Sequence, residues 1–159
     1  MEYMGPTSHN IMKIKLLYFL FILTIIGLSC EDSKFPDEQF SVQDIKYGTC
    51  KPATKSVLNE YILLSVKDEY YIDFNHINSY FNCSPGQIII KATLVGNNIQ
   101  INEYETDPSA NCICPYDLEF RIGPLQYDTY VLTLKKGGFE ILVEEFVFKS
   151  DLNKRIDIT

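Results

Sequence analysis

Tryptophan is absent, and only two histidines, His9 and His76, occur in 159 residues. Without Trp the chain lacks the largest aromatic platform on which a sugar ring can stack. Only His76 lies downstream of residue 30, so any Ser-His-Asp or Cys-His centre would have to be built on that residue. No nucleophile-elbow sequence accompanies it, which argues against a triad hydrolase. No Cys-x-x-Cys occurs, which removes the usual thiol-redox motif. Glycine-rich phosphate loops are also missing, since Lys135-Lys136-Gly137-Gly138 reads as a hairpin turn. Basic side chains are few, 14 Lys+Arg against 21 Asp+Glu for a net charge of −7, and form no patch. That balance excludes a phosphate-tracking DNA or RNA partner. Eight Gly and seven Pro are too few for a fibrous chain, and 46% hydrophobic with 22% charged residues is too apolar for a disordered one. A single packed core follows.

Apolar runs are short as well. The uncharged, mostly apolar stretch Leu16–Leu28 follows Met12-Lys13-Ile14-Lys15 and is 13 residues long. As a helix it would span roughly 20 Å, short of a ~30 Å hydrocarbon core. A basic start, a short apolar run and then Gly27-Leu28-Ser29-Cys30 before the polar Glu31-Asp32-Ser33-Lys34 are the parts of a secretory signal. Residues 1–29 are therefore assigned as signal peptide. Residues 1–11 carry no signal features, so Met12 is a candidate for the true start, with translation from Met1 the alternative.

This leader resembles a bacterial lipoprotein signal, and more closely the looser Bacteroidetes-type signals that end in Ser-Cys, because Gly27 stands where a large aliphatic is usual. The resemblance implies lipidation of Cys30, anchoring to the outer membrane through acyl chains, and a periplasm-facing or surface-exposed position. Several acyl chains supply enough buried methylene, at ~0.8 kcal/mol each, for durable anchoring. The alternative is ordinary cleavage, with Cys30 a structural thiol. Glu31 to Ser41 contains Pro36 and shows no apolar period, so residues 30–41 are expected to form the lipidated start and a flexible tether. Residues 42–159 form the remaining domain.

That domain reads as all-β. Gln87–Val95 and Ile99–Glu105 flank the turn residues Gly96-Asn97-Asn98 and predict a hairpin. Thr129–Leu134 and Phe139–Phe148 predict a second, and Tyr61–Val66 with Tyr70–Asn75 a third. Tyr116, Leu118, Phe120 and Ile122 alternate with Asp117, Glu119 and Arg121, the pattern of a half-buried strand. About seven or eight short strands point to an antiparallel β-sandwich, Ig-like or similar, with a small β-barrel as second choice.

With Cys30 assigned to lipid, Cys50, Cys83, Cys112 and Cys114 remain, an even number suited to disulfides in an exported domain. If the strand begins early enough, Cys112 and Cys114 share the inward parity of Tyr116 and Leu118. Two Cys side by side on one strand face are poorly placed to bond each other and well placed to meet partners across the sheet. Cys50 and Cys83 are thus each expected to pair with one of the two, in either combination. A four-Cys zinc site is the weaker reading because Cys-x-Cys is a cramped chelate, and buried free thiols are the remaining alternative. The segment Asn111-Cys112-Ile113-Cys114-Pro115-Tyr116-Asp117-Leu118-Glu119-Phe120 resembles a Cys-x-Cys-x-Tyr-Asp pattern of small Bacteroidetes-type lipoproteins. That likeness implies an exported β fold and no catalytic residue.

Other candidates are modest. His76, ending an aromatic strand, reads as a packed or rim residue before it reads as a base. Glu103, Glu105 and Asp107 share one strand face and could gather a hard cation such as Ca²⁺, but a solvated acidic edge fits them better. Tyr71, Tyr104 and Tyr127 are candidate stacking surfaces for sugars or peptides. No cofactor is implied. The functional expectation is a lipid-anchored, non-enzymatic binding or accessory module of the cell envelope, with an envelope protein or glycan as partner. A small envelope hydrolase or hydrolase inhibitor is the alternative.

Overall fold

The structure is a computed structural model, and residues 35–52 and 58–158 are described here. Cys30, the signal assigned to residues 1–29 and residues 31–34 of the tether lie outside the described residues. Nine strands follow in order: β1 (Ser41–Tyr47), β2 (Tyr61–Asp68), β3 (Tyr71–Asn82), β4 (Gln87–Val95), β5 (Asn98–Thr106), β6 (Ile113–Gly123), β7 (Asp128–Lys136), β8 (Phe139–Phe148) and β9 (Asn153–Asp157). Among the described residues there is no helix.

Two open sheets form, a five-stranded one ordered β1-β6-β3-β2-β9 and a four-stranded one ordered β4-β5-β7-β8. Neither closes into a barrel, and the architecture is a β-sandwich. All three expected hairpins are present as β2–β3, β4–β5 and β7–β8. Gly137 and Gly138 form the two-residue β7–β8 turn with φ of 56° and 89°, a conformation that other residues adopt only at a steric cost. The expected all-antiparallel pairing holds with one exception. Strands β5 and β7 run parallel, because the chain crosses to the other sheet as β6 between them.

Period-two alternation generates the core. Ile62 and Leu64 of β2, Ile72 and Phe74 of β3, Ile99 and Ile101 of β5, Leu118, Phe120 and Ile122 of β6, and Leu132 and Leu134 of β7 are all buried. Phe74 and Phe120 stack at the centre with ring centroids 4.6 Å apart. The tether expectation needs correction where it is described. Phe35 meets Tyr70 edge-on at 5.4 Å, the Tyr71 hydroxyl donates to Glu38 Oε2 at 2.7 Å, and Phe40 packs on the core. The compact unit therefore begins at Phe35 instead of residue 42, because two aromatic side chains outweigh the local charge and Pro36.

Both disulfides sit at one end of the five-stranded sheet, Cys50–Cys114 and Cys83–Cys112. They tie β6 to the chain after β1 on one side and to the end of β3 on the other. Backbone bonds continue the ladders there: Lys51 N donates to Pro115 O and Cys83 N to Cys112 O. Cys114 is buried on the inward face, as its parity predicts. Cys112 is not: β6 starts only at Ile113, so no pleat directs Cys112 inward, and it is exposed. The loops closed, of 64 and 29 residues' separation, correspond to about 4 kcal/mol each in the chain-entropy account.

Two outcomes are expected. Non-reducing peptide mapping should recover Cys50–Cys114 and Cys83–Cys112 as the linked pairs. Phe74→Ala should lower the free energy of unfolding by about 3–5 kcal/mol in urea titrations, from lost transfer energy and the cavity left against Phe120.

Candidate functional site

Inward parity on β3 continues past Ile72 and Phe74 to His76, whose side chain is fully buried. Parity on β5 likewise carries Ile99 and Ile101 on to Glu103, also fully buried. The facing sheets therefore bring an imidazole against a carboxylate. His76 Nδ1 lies 3.0 Å and 2.9 Å from the two oxygens of Glu103. Ser79 donates its hydroxyl to Glu103 Oε2 at 3.3 Å. On the other side, His76 Nε2 is 3.0 Å from Glu60 Oε1, just before β2. That contact has the length of a hydrogen bond without its alignment, so it acts mainly as a charge–charge contact. Lys136 Nζ, from β7, completes the group at 2.6 Å from Glu60 Oε1 and stands 5.3 Å from the Phe81 ring centroid.

Burial pushes the His76 pKa down, but the Glu103 charge, its hydrogen bond to Nδ1 and the close Glu60 carboxylate outweigh it and hold the imidazole above its ordinary value. Burial also raises Glu60, yet the facing His76 ring and the hydrogen bond and charge of Lys136 bring its carboxyl below the ordinary value. When the imidazole is protonated the charges balance, with two carboxylates against an imidazolium and an ammonium. Such a group satisfies itself and ties the two sheets together.

A general base must reach the proton it abstracts. His76 instead has a carboxylate facing each ring nitrogen, and the neighbouring Ser79 hydroxyl bonds to Glu103, not to the imidazole. It is a packed residue, as the sequence reading prefers, although in mid-strand and not at a strand end.

The acidic trio is dispersed. Glu103 is in the core, Glu105 accepts the backbone N–H of Asn82 at 2.8 Å through Oε2, and Asp107 is exposed beyond the end of β5. Neither a cation cluster nor a solvated edge describes Glu103. The signal that places it was the inward row of Ile99 and Ile101 on the same face. Among the described residues only cysteine sulfurs make a close group of potential ligand atoms, those of Cys50, Cys83 and Cys114, all three engaged in disulfides.

The three tyrosines do not form a common platform. Tyr71 lies on the five-stranded sheet under the Arg121 guanidinium, Tyr104 on the four-stranded sheet under Lys91, and Tyr127 is exposed in the β6–β7 connection. The outer face of the five-stranded sheet does carry a recess of about 430 Å³, lined by Lys46, Tyr47, Asn75, Ile77, Asp117 and Glu119. A bulge between Gln43 and Lys46, with Asp44 at φ 53°, turns the end of β1 over it. Asn78, at φ 60° in the β3 register shift, anchors the neighbouring floor. Its Oδ1 accepts from Lys51, its Nδ2 donates to Asn59 O, and its N–H donates to Asp117.

The fold and site together define a doubly bridged, mixed-sheet β-sandwich with a largely buried charge cluster and an open polar recess. Compared with known protein families, curated proteins and solved structures, the chain matches none.

The charge cluster fixes a pH dependence. The contribution of His76 is complete below the ordinary imidazole value of 6.5 and is lost as pH rises through its raised folded value. That of Glu60 is complete above 4.5 and is lost as pH falls through its lowered folded value. Urea midpoints should therefore be highest between about 4.5 and 6.5 and decline on the alkaline side. Glu103→Leu alone should cost about 3–5 kcal/mol by stranding a buried charge. The His76→Leu/Glu103→Leu double variant should recover most of that and lose the alkaline decline.

Proposed function

We propose that this chain is a lipid-anchored lipoprotein of the cell envelope, held at the outer membrane through Cys30, which acts as a non-enzymatic binding module with the β1–β3–β6 recess as its recognition surface. The observation that carries this reading is the division of polar groups between inside and outside. The one histidine of the domain is consumed in holding the sheets together. The accessible recess instead offers a half-exposed aromatic ring, Tyr47, with Lys46, Asp117 and Glu119 around it, a mixture suited to hydrogen bonding and stacking against a polar envelope peptide or glycan. Two disulfides fit the oxidising environment that the leader implies.

The address and the binding role are tested separately. Metabolic labelling with a palmitate analogue should mark the wild-type chain and leave Cys30→Ser unlabelled; equal labelling of both would end the anchor assignment. Glycan and peptide arrays probed with the wild-type protein should give ligands whose retention falls at least tenfold for Tyr47→Ala and Lys46→Glu. Silent arrays, or ligands indifferent to both substitutions, would remove the recess from this role, and turnover of an arrayed ligand would point to the hydrolase alternative.

A further inference from the structure

The cysteine end of the sandwich holds more than two separate staples. The Sγ atoms of Cys50, Cys83 and Cys114 all lie within 4.8 Å of one another, although Cys83 is not bonded to either of the other two. Cys112, bonded to Cys83, places the fourth sulfur beside that one and outside the group of three. Four thiolates around a tetrahedral zinc ion at 2.3 Å stand about 3.8 Å apart. Sulfurs joined at roughly 2.05 Å need to part by less than 2 Å to reach that spacing, and Cys112, which is exposed, needs to swing its sulfur toward the Cys50 and Cys114 pair, a matter of side-chain rotation.

The backbone around them is held independently of the sulfur bonds. Lys51 N to Pro115 O and Cys83 N to Cys112 O keep the three chain segments side by side. The Tyr116 hydroxyl donates toward Asn82 O and Cys83 O, at 3.2 and 3.3 Å, and its ring packs edge-on against Phe81. Cys114 lies on the dry side and Cys112 on the solvent side, which gives a cation a way in. The objection that Cys112-Ile113-Cys114 is a cramped chelate weakens here. Two of the four ligands come from other segments, and Cys112, lying before β6, is not bound by its pleat.

We propose that the four cysteines form a second, reduced state of this site, a tetrathiolate centre for one zinc-class divalent cation, exclusive of the two disulfides. A dithiol reductant gives two electrons and two protons to each bridge and closes to its own disulfide; a phosphine gives two electrons and becomes its oxide, with water supplying the oxygen and the two protons, and either route leaves four thiols. Binding of the cation then releases up to four protons as the thiols become thiolates. The oxidised state cannot bind, since its sulfurs are spent on each other.

The test uses the full chain, reduced with a phosphine under anaerobic conditions and titrated with Co²⁺ and then Zn²⁺. One equivalent of Co²⁺ should give the intense visible bands of tetrahedral cobalt thiolate, and one equivalent of Zn²⁺ should abolish them. Zn²⁺ should also raise the melting temperature of the reduced protein and leave that of the oxidised protein unchanged. Cys50→Ser and Cys112→Ser should each weaken Co²⁺ binding at least tenfold and alter the spectrum. The proposal is overturned by weak octahedral cobalt spectra, by equal uptake in the oxidised protein, or by affinity that survives both substitutions. It is equally overturned if circular dichroism shows the reduced chain unfolded both with and without Zn²⁺.

Discussion

The two sheets of this protein meet across a histidine that has a carboxylate facing each of its nitrogens. An isolated charge in such a place would be intolerable. The constraint therefore reaches well beyond His76. Glu103 must come from β5, Glu60 from the approach to β2 and Lys136 from the end of β7, so the relative position of the two sheets is fixed by polar contacts as well as by apolar packing between their inner faces. The parallel pairing of β5 with β7 serves the same geometry. It sets Glu103 opposite Lys136 in register, with Gly137 N donating to Glu103 O at 2.7 Å. Apolar packing would tolerate small slips between sheets, whereas this arrangement specifies one.

Much of the architecture was legible from alternation and turns. Hairpins closed by Gly96-Asn97 and Gly137-Gly138 announce themselves because short two-residue turns need positive φ, and the rows ending in Ile122, Leu134 and Phe74 mark the inner face directly. What escaped was whatever depends on a partner distant in sequence. β9 is a five-residue edge strand whose pairing with β2 spans most of the chain, and the residues of β1 alternate weakly because a bulge interrupts them. Phe35 and Phe40 looked like tether because local charge says nothing about the surface on which an aromatic ring can land.

The candidate site was half legible for the same reason. The pairing of Cys50 and Cys83 with the Cys112–Cys114 segment followed from parity, but the choice between the two combinations depends on which strand lies on which side of β6. Glu103 was read together with the acidic residues that follow it, when the isoleucines that precede it determine its direction. Charge suggests solvent, and pleat suggests the core. In β5 the pleat prevails because an imidazolium waits on the other side.

The position of Cys50 also gives the domain a mechanical character. The chain enters through Phe35 and passes first into β1, an outer strand whose pairing with β6 is already interrupted by the bulge at Gln43–Lys46. Tension applied from the upstream side would reach this strand before any other and could strip it away a few hydrogen bonds at a time. The tear would then meet the Cys50–Cys114 bond, where noncovalent resistance gives way to covalent. Load would pass into β6, the next strand of the sheet, leaving the hydrophobic interior shut while its outermost strand acts as a short, re-formable strap.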